Sequence, residues 1–197
     1  SLYDERLVGT APFSVETRGG RVTCQILQGG REVTVQMGEV SFHSERIPVA
    51  GPPREVLNED LLLEGKLFKF CAATVGNPHC IVLFPDPSPA AARQYGPLIE
   101  TDPRFPNRTN VQFLQIMDRR NIRIEIWERG AGYTLASGSS ATAAAAVAHR
   151  LGECDADITV HMPGGTLYIQ CADGFYATMT GPVVKICEGV LASELLE

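Results

Sequence analysis

The sequence lacks the features that mark several large classes of protein. Its 197 residues contain no cluster of basic residues and no apolar run near the roughly 20 residues that a membrane-spanning helix needs. The net charge is −6, from 17 basic and 23 acidic residues, which argues against a surface for nucleic acid or anionic membrane. We therefore expect neither nucleic acid nor membrane as a partner. A chain of this length that is 44% hydrophobic can bury a core of its own.

Cysteines are present but are not arranged for cross-linking or metal binding. No Cys-x-x-Cys pair occurs, and no histidine lies at a matching distance. This spacing argues against a structural zinc site and against the dense disulfide framework of small secreted domains. We interpret the cysteines as reduced, mostly buried thiols of a cytoplasmic protein. They are Cys24, Cys71, Cys80, Cys154, Cys171 and Cys187.

Most of the chain has the pattern of strands. Alternating or apolar runs between glycine turns predict an early meander over Phe13–Glu16, Arg21–Leu27 and Glu32–Met37, and a late strand at Val183–Cys187. The proline-rich stretch Pro48–Arg54 is the best candidate for a linker, because its prolines disfavour both ladder pairing and helix. A short helix is predicted at Pro89–Ile99.

One long helix is predicted at Ser139–Leu151. Serines precede it as N-cap candidates, and Gly152 follows it as a stop. It has no polar face from Ala141 to Ala148, so it must be surrounded by protein. The expected fold class is therefore α+β, with a mainly antiparallel sheet wrapped around a central buried helix.

The loop that leads into this helix, ERGAGYTLASGSS from Glu128 to Ser140, is the most informative segment for function. The first turn of a helix leaves N–H groups unpaired, so the amides of Gly138 and Ser139 are candidate ligands for a carboxylate. Adjacent Glu128 and Arg129 could bind the amino group and the carboxylate of an amino acid. The alternative is a structural turn with self-capping serines.

Three further polar residues, in two segments, are candidates on weaker grounds. Asn77 and His79 lie in a Gly-Asn-Pro-His turn between apolar strands, where a rigid proline could hold them toward a ligand. Asn110 precedes another strand. Taken singly, each is better explained as a turn or strand-start residue or as a satisfied structural side chain.

Together these segments resemble the diaminopimelate epimerase family in order and spacing. The resemblance rests on GNPH, the asparagine before a strand, and ERGAGxTxAxG before an alanine-rich helix, with VQMGEVSF (Val35–Phe42) and MTGPVVKICEG (Met179–Gly189) in support. It implies two pseudo-symmetric domains, each a sheet around a helix. Residues 1–47 would then be a remnant of the N-terminal domain and residues 48–197 the C-terminal domain, with a final strand near 183–191 packing on the remnant.

The resemblance also implies a reaction. The family inverts an amino-acid α-carbon without a cofactor or metal, with one thiol on each face, because inversion needs proton removal and return from opposite sides. LL-diaminopimelate becomes the meso form in lysine biosynthesis. Asn77, His79, Asn110, Glu128, Arg129, Gly138 and Ser139 would bind the substrate, and Ser137 occupies the position of the catalytic cysteine.

At Ser137 the chain departs from the family. Cys-Gly-Thr-Gly is usual where this chain has Ser137-Gly138-Ser139-Ser140, and no Cys-Gly-Asn-Gly motif for the opposite thiol is present. A serine hydroxyl does not ionise near neutrality as a thiol can. We therefore expect this chain, as a fragment, to be inactive by the two-thiol route.

Three functions remain open at this point. The chain could represent a diaminopimelate epimerase, a paralogue that isomerises another small carboxylate, or a non-catalytic module that binds one. Tyr133, where the family commonly has glutamate, mildly favours the last two by altering the pocket edge. Joint retention of Asn77, Asn110, Glu128 and Arg129 favours the first two. A homodimer is one expectation for the assembly, which the sequence does not determine.

Overall fold

The computed structural model describes residues 2–17, 20–190, 192 and 194. Within these residues the chain forms twelve strands and two α-helices, labelled here in chain order. The strands are β1 (Phe13–Thr17), β2 (Gly20–Leu27), β3 (Glu32–Glu39), β4 (Glu59–Leu63), β5 (Lys66–Thr74), β6 (Pro78–Leu83), β7 (Asn110–Asp118), β8 (Asn121–Glu128), β9 (Gly132–Thr134), β10 (Asp157–Met162), β11 (Gly165–Cys171) and β12 (Tyr176–Pro182). The helices are α1 (Pro89–Glu100) and α2 (Gly138–Arg150), close to the predicted bounds.

All twelve strands belong to one mixed sheet. Its order is β1-β2-β3-β12-β11-β10-β8-β7-β6-β5-β4, and β9 pairs with β8 outside this path. The pairs β6–β7 and β8–β10 are parallel, and the other pairs are antiparallel. Residues 13–39 join the rest of the sheet through β3, which pairs with β12. The division at residue 47 stays a prediction.

The predicted strand at Val183–Cys187 is wrong. The last strand in the structure is β12, and residues 183–190 follow it without regular secondary structure. Pro182 ends the strand because it has no N–H to donate to the ladder. Val183 still donates its N–H to the carbonyl of Arg31 at 3.0 Å, but the pairing goes no further.

Helix α2 lies at the centre of the larger core. Every residue from Ser140 to Ala148 is buried. The alanine side chains let the surrounding strands approach the helix backbone closely, and Ile81, Leu114 and Ile124 of the sheet pack in the same cluster. The α+β fold with a sheet wrapped around a central helix, as predicted, is confirmed. We call this side of the sheet the α2 face.

Helix α1 covers the opposite side of strands β5–β8, which we call the α1 face. Val82, Val111 and Phe113 belong to its core cluster, and Trp127 packs against that cluster. The closest approach is at Gly96, where an added Cβ would lie 2.5 Å from Cγ of Trp127. Glycine at this position therefore sets how near α1 can lie to β8.

Two expectations from composition can be compared with this architecture. None of the helices among the described residues is long and apolar enough to cross a membrane. All six cysteines are free thiols, of which Cys71, Cys80, Cys154 and Cys171 are buried and Cys187 is exposed.

Candidate active site

The N-terminus of α2 has backbone N–H donors without an acceptor in the described structure. Ser137 is its N-cap residue, but the Ser137 side chain makes no capping hydrogen bond. The first intrahelical bond runs from the N–H of Ala141 to the carbonyl of Ser137 at 3.0 Å. The preceding amides, of Gly138, Ser139 and Ser140, have no acceptor among the residues that the structure describes. These N–H groups and the helix dipole favour an anion here.

The Gly-Asn-Pro-His turn between β5 and β6 meets this helix end. Nδ2 of Asn77 donates to Oγ of Ser139 at 3.4 Å. Oδ1 of Asn77 lies 3.0 Å from Nε2 of His79. The turn predicted to present polar groups thus lies directly beside the predicted carboxylate site, although it is more than 50 residues away in sequence.

Asn110 joins this turn to the start of the glycine-rich loop. It is buried, its Nδ2 donates to the carbonyl of Pro78 at 2.9 Å, and its Oδ1 accepts from the N–H of Arg129 at 3.0 Å. The parallel pairing of β6 with β7 makes this bridge, because it puts His79 opposite Asn110. Asn110 therefore fixes the backbone of Arg129 relative to the Asn77 turn.

The two charged residues of the loop are left available. Glu128 is partly buried, and its carboxylate has neither hydrogen bond nor ion pair within the described part of the chain. Arg129 is exposed, and its Nη1 donates to the carbonyl of Asn107 at 2.9 Å. That bond uses one of the five guanidinium donors and leaves others for a ligand.

His79 has no exposed surface and is held in the neutral form. Its pKa is lowered to about 3, mainly by burial and in smaller part by the positive charge of Arg129, while the neighbouring Gln112 acts the other way. A neutral imidazole is therefore present at all physiological pH values.

Sequence reasoning missed three polar residues that support the site. Gln112 and Ser140 have no exposed surface, and Nε2 of Gln112 donates to Oγ of Ser140 at 2.9 Å. A signal was present for Gln112, because period 2 on β7 puts it on the same side as Leu114 and Ile116, both in the α2 core. On the α1 face, buried Glu100 accepts from Nε1 of Trp127 at 2.7 Å and from the N–H of Gly130 at 3.0 Å, which holds the loop.

Tyr133 does not alter the pocket edge, so that part of the sequence interpretation is wrong. Its hydroxyl donates to Oε2 of buried Glu125 at 2.7 Å, and the Arg93 guanidinium lies 4.3 Å from its ring centre. Burial and the Glu125 carboxylate raise the pKa of Tyr133 to about 12. Tyr133 pairs with Trp127 where β9 lies beside β8, so the Tyr133 side chain lies on the α1 face, away from the open end of α2.

No group of three or more His, Cys, Asp or Glu side chains suited to a metal ion occurs in the described residues. The chemistry of the site is that of hydrogen-bond donors, one carboxylate and one guanidinium. This arrangement can bind a small zwitterion. The amides and Arg129 suit carboxylates, and Glu128 suits an ammonium group.

Comparison with solved structures first defines the class of fold to which the protein belongs. Solved structures with this fold include a hydroxyproline epimerase from Agrobacterium vitis, with a TM-score of 0.64 and 17% identity over 92% of this chain and 60% of that one. A probable proline racemase from Agrobacterium radiobacter has a TM-score of 0.67 and 17% identity, over 92% of this chain and 61% of that one. At such identities the likeness shows the fold alone, which is that of these epimerases and racemases.

Sequence comparison then gives the family. The sequence model of diaminopimelate epimerase matches residues 71–186. Diaminopimelate epimerase 2 of Nostoc sp. is 55% identical over 98% of this chain and 68% of its own length. The diaminopimelate epimerase of Desulfitobacterium hafniense is 38% identical over 99% of this chain and 70% of its own length. The chain belongs to the diaminopimelate epimerase family and is of the isomerase type.

Proposed function

We propose that this chain supplies the carboxylate- and ammonium-binding wall of a diaminopimelate epimerase site. The observation that carries the proposal is the set of unpaired amides of Gly138, Ser139 and Ser140 at the N-terminus of α2. They would bind the α-carboxylate of the substrate. The expected reaction is inversion of LL- to meso-diaminopimelate in the cytoplasm.

The residues around these amides have complementary roles in the proposal. The carboxylate of Glu128, which has no hydrogen bond or ion pair among the described residues, would accept from a substrate ammonium group. Arg129 would bind the second carboxylate of diaminopimelate. Asn110 would act indirectly, because its Oδ1 accepts from the N–H of Arg129 at 3.0 Å and so fixes that backbone. His79 is buried and neutral, so it would position Asn77 and would not itself contact the substrate.

The hydroxyl of Ser137 limits what this wall can do. Removal of an α-proton at neutral pH needs both a base and strong electrostatic stabilisation of the carbanion. The amides of α2 offer the stabilisation, but a serine hydroxyl at the helix end offers no thiolate-like base. We infer that the chain binds diaminopimelate and does not exchange its α-proton.

Titration calorimetry with LL- and meso-diaminopimelate tests the binding. Arg129→Ala should weaken binding about tenfold or more, because a hydrogen bond to a charged group is lost. Arg21→Ala is the matched control, since Arg21 is an exposed arginine whose ion pair, with Glu16, is remote from the site. Equal affinities for the original chain and Arg129→Ala, or no binding at all, would refute the assigned substrate wall.

Proton NMR in deuterium oxide tests the catalytic inference separately. The α-proton signal of diaminopimelate should keep its intensity in the presence of the chain, beyond the loss seen in buffer. Rapid loss of that signal would show that Ser137 does not prevent proton abstraction, whatever the calorimetry gives.

A further inference from the structure

A line of polar side chains passes beneath the first turn of α2 and returns to it. Nε2 of Gln112 donates to Oγ of Ser140 at 2.9 Å. His79 follows, with Nε2 at 3.0 Å from Oδ1 of Asn77, and Nδ2 of Asn77 donates to Oγ of Ser139 at 3.4 Å. Both ends of the line are therefore hydroxyls of consecutive residues of one helix.

The directions of these hydrogen bonds conflict at the middle of the line. Oδ1 of Asn77 can only accept, so the proton of neutral His79 is on Nε2 and its Nδ1 is an acceptor. Gln112 has its N–H₂ on Ser140, which leaves Oε1, also an acceptor, for the imidazole that it influences. Nδ1 of His79 and Oε1 of Gln112 are both buried without a partner.

Two rearrangements would pair both atoms. In the first, the Gln112 carboxamide makes a half-turn, donates to Nδ1 of His79 and accepts from the hydroxyl of Ser140. In the second, the Asn77 carboxamide makes a half-turn, the His79 proton moves to Nδ1, and the hydroxyl of Ser139 donates to Asn77.

The burial of the two serines distinguishes these rearrangements. The second leaves the O–H of Ser140 without an acceptor in the described residues, although Ser140 has no exposed surface. An unpaired buried donor is costly. The first leaves only the O–H of Ser139 unpaired, and Ser139 is partly exposed at the open helix end. The first is therefore favoured.

We propose that Gln112 and His79 are positioning residues that orient the hydroxyl of Ser139 as a fourth donor for the bound carboxylate. The hydrogen bonds run one way, from Ser140 through Gln112, His79 and Asn77 to Ser139. Because Oγ of Ser139 accepts from Asn77, its own proton is free for the ligand, beside the three amides of α2. The ligand part of this inference rests on the proposed function, and the direction of the hydrogen bonds does not.

Nitrogen-15 NMR of the labelled full chain tests the direction without any ligand. Long-range proton–nitrogen correlations report the protonation of each ring nitrogen of its four histidines. The His79 signals are those lost in His79→Gln. We expect an unprotonated Nδ1 and a protonated Nε2 that persist from pH 8 to pH 5. A protonated Nδ1, or an imidazolium at neutral pH, would overturn the proposal.

Binding of meso-diaminopimelate to paired variants tests the consequence for Ser139. Gln112→Met keeps the volume but cannot donate, and Ser139→Ala removes the hydroxyl. Each should weaken binding about tenfold, the factor for one hydrogen bond to a charged group. The double variant should be no weaker than Gln112→Met alone, because both changes remove the same donor.

The control is Gln115→Met on the same strand, since Gln115 is only partly buried and outside the line. Additive losses in the double variant, or equal affinities for Gln112→Met and Gln115→Met, would overturn the role of Gln112. If the unmodified chain binds no diaminopimelate, the proposed function fails, and the NMR measurement still decides the direction of the hydrogen bonds.

Discussion

The two helices begin in opposite ways, although each has a serine at its N-cap. Ser88 caps α1 by accepting from the N–H of Ala91 at 3.2 Å, and Pro89 has no N–H to satisfy. At α2, Ser137 makes no such bond and three amides stay unpaired in the described structure. The serine side chain at α1 therefore stabilises its helix end, whereas the first three amides of α2 have no acceptor among the described residues.

The largest expected effect is a loss of unfolding free energy when the packing of α1 against β8 is disturbed. Gly96→Ala would place a Cβ 2.5 Å from Trp127, so α1 must shift from β8, and overpacking of this kind costs about 3 kcal/mol of unfolding free energy. Urea unfolding followed by fluorescence of Trp127, the only tryptophan, measures the loss. Gly9→Ala is the control, because its Cβ would meet nothing within 4 Å. Equal stability of the two variants would contradict the packing argument.

The unfolding free energy should depend on pH through His79, on the α2 face. Its pKa is lowered from 6.5 to about 3, so between these pH values the unfolded chain binds a proton that the folded chain does not. Stability from this group is present above pH 6.5 and is lost as the pH falls, by up to about 1.4 kcal/mol per pH unit. The measurement is the unfolding free energy at pH 7 and pH 5.

His79→Gln provides the comparison for this measurement, because glutamine can replace the Nε2–H donor and does not titrate. Between pH 7 and pH 5, the unfolding free energy of His79→Gln should change by about 2 kcal/mol less than that of the unsubstituted chain. This difference is the integral of that slope from pH 6.5 to 5. Parallel pH curves for the two proteins would show that His79 is not the group responsible.

A thiol placed at the open end of α2 tests the comparison of the two helix ends through the pKa of that thiol. The new thiol of Ser137→Cys should have a pKa about one unit or more below the ordinary value, because the unpaired amides stabilise a thiolate. By contrast, burial raises the pKa of Cys154 and of Cys171 to about 11.

Alkylation with iodoacetamide across a pH range, read by mass spectrometry of the peptide that contains residue 137, measures the pKa of the new thiol. Ser88→Cys gives the matched thiol at the other helix. A thiol at position 137 that is no more reactive at pH 7 than the one at position 88 would show that the end of α2 does not favour an anion.

The smallest expected effect on unfolding free energy comes from removing the hydroxyl of each N-cap serine, which compares the two caps directly. Ser88→Ala should cost about 1 kcal/mol of unfolding free energy, because the N–H of Ala91 loses its partner. Ser137→Ala should cost less than about half as much, since no capping bond is lost there. Urea unfolding of both variants is the measurement. A larger loss at Ser137 would mean that its hydroxyl stabilises the helix in solution.

Much of the site was predictable because it lies in local sequence. The apolar run from Ala141 to Ala148 required a surrounded helix, and the loop before it carried its own glycines, charges and N-terminal serines. Each of these inferences depends on residues a few positions apart, so periodicity and helix-end chemistry were sufficient.

The tertiary structure alone decided which groups stay available and which are used up. Parallel pairing of β6 with β7 brought Asn110 to the Asn77 turn, and Tyr133 was turned to the α1 face by its register with Trp127. The period of β7 indicates the face on which Gln112 lies, but its hydrogen bond to Ser140 exists only in the folded chain. The physical reason is that hydrogen-bond satisfaction depends on strand order and register, which join residues distant in sequence. The unpaired amides of α2 were therefore a hypothesis in the sequence, and strand order put the Asn77 turn beside them.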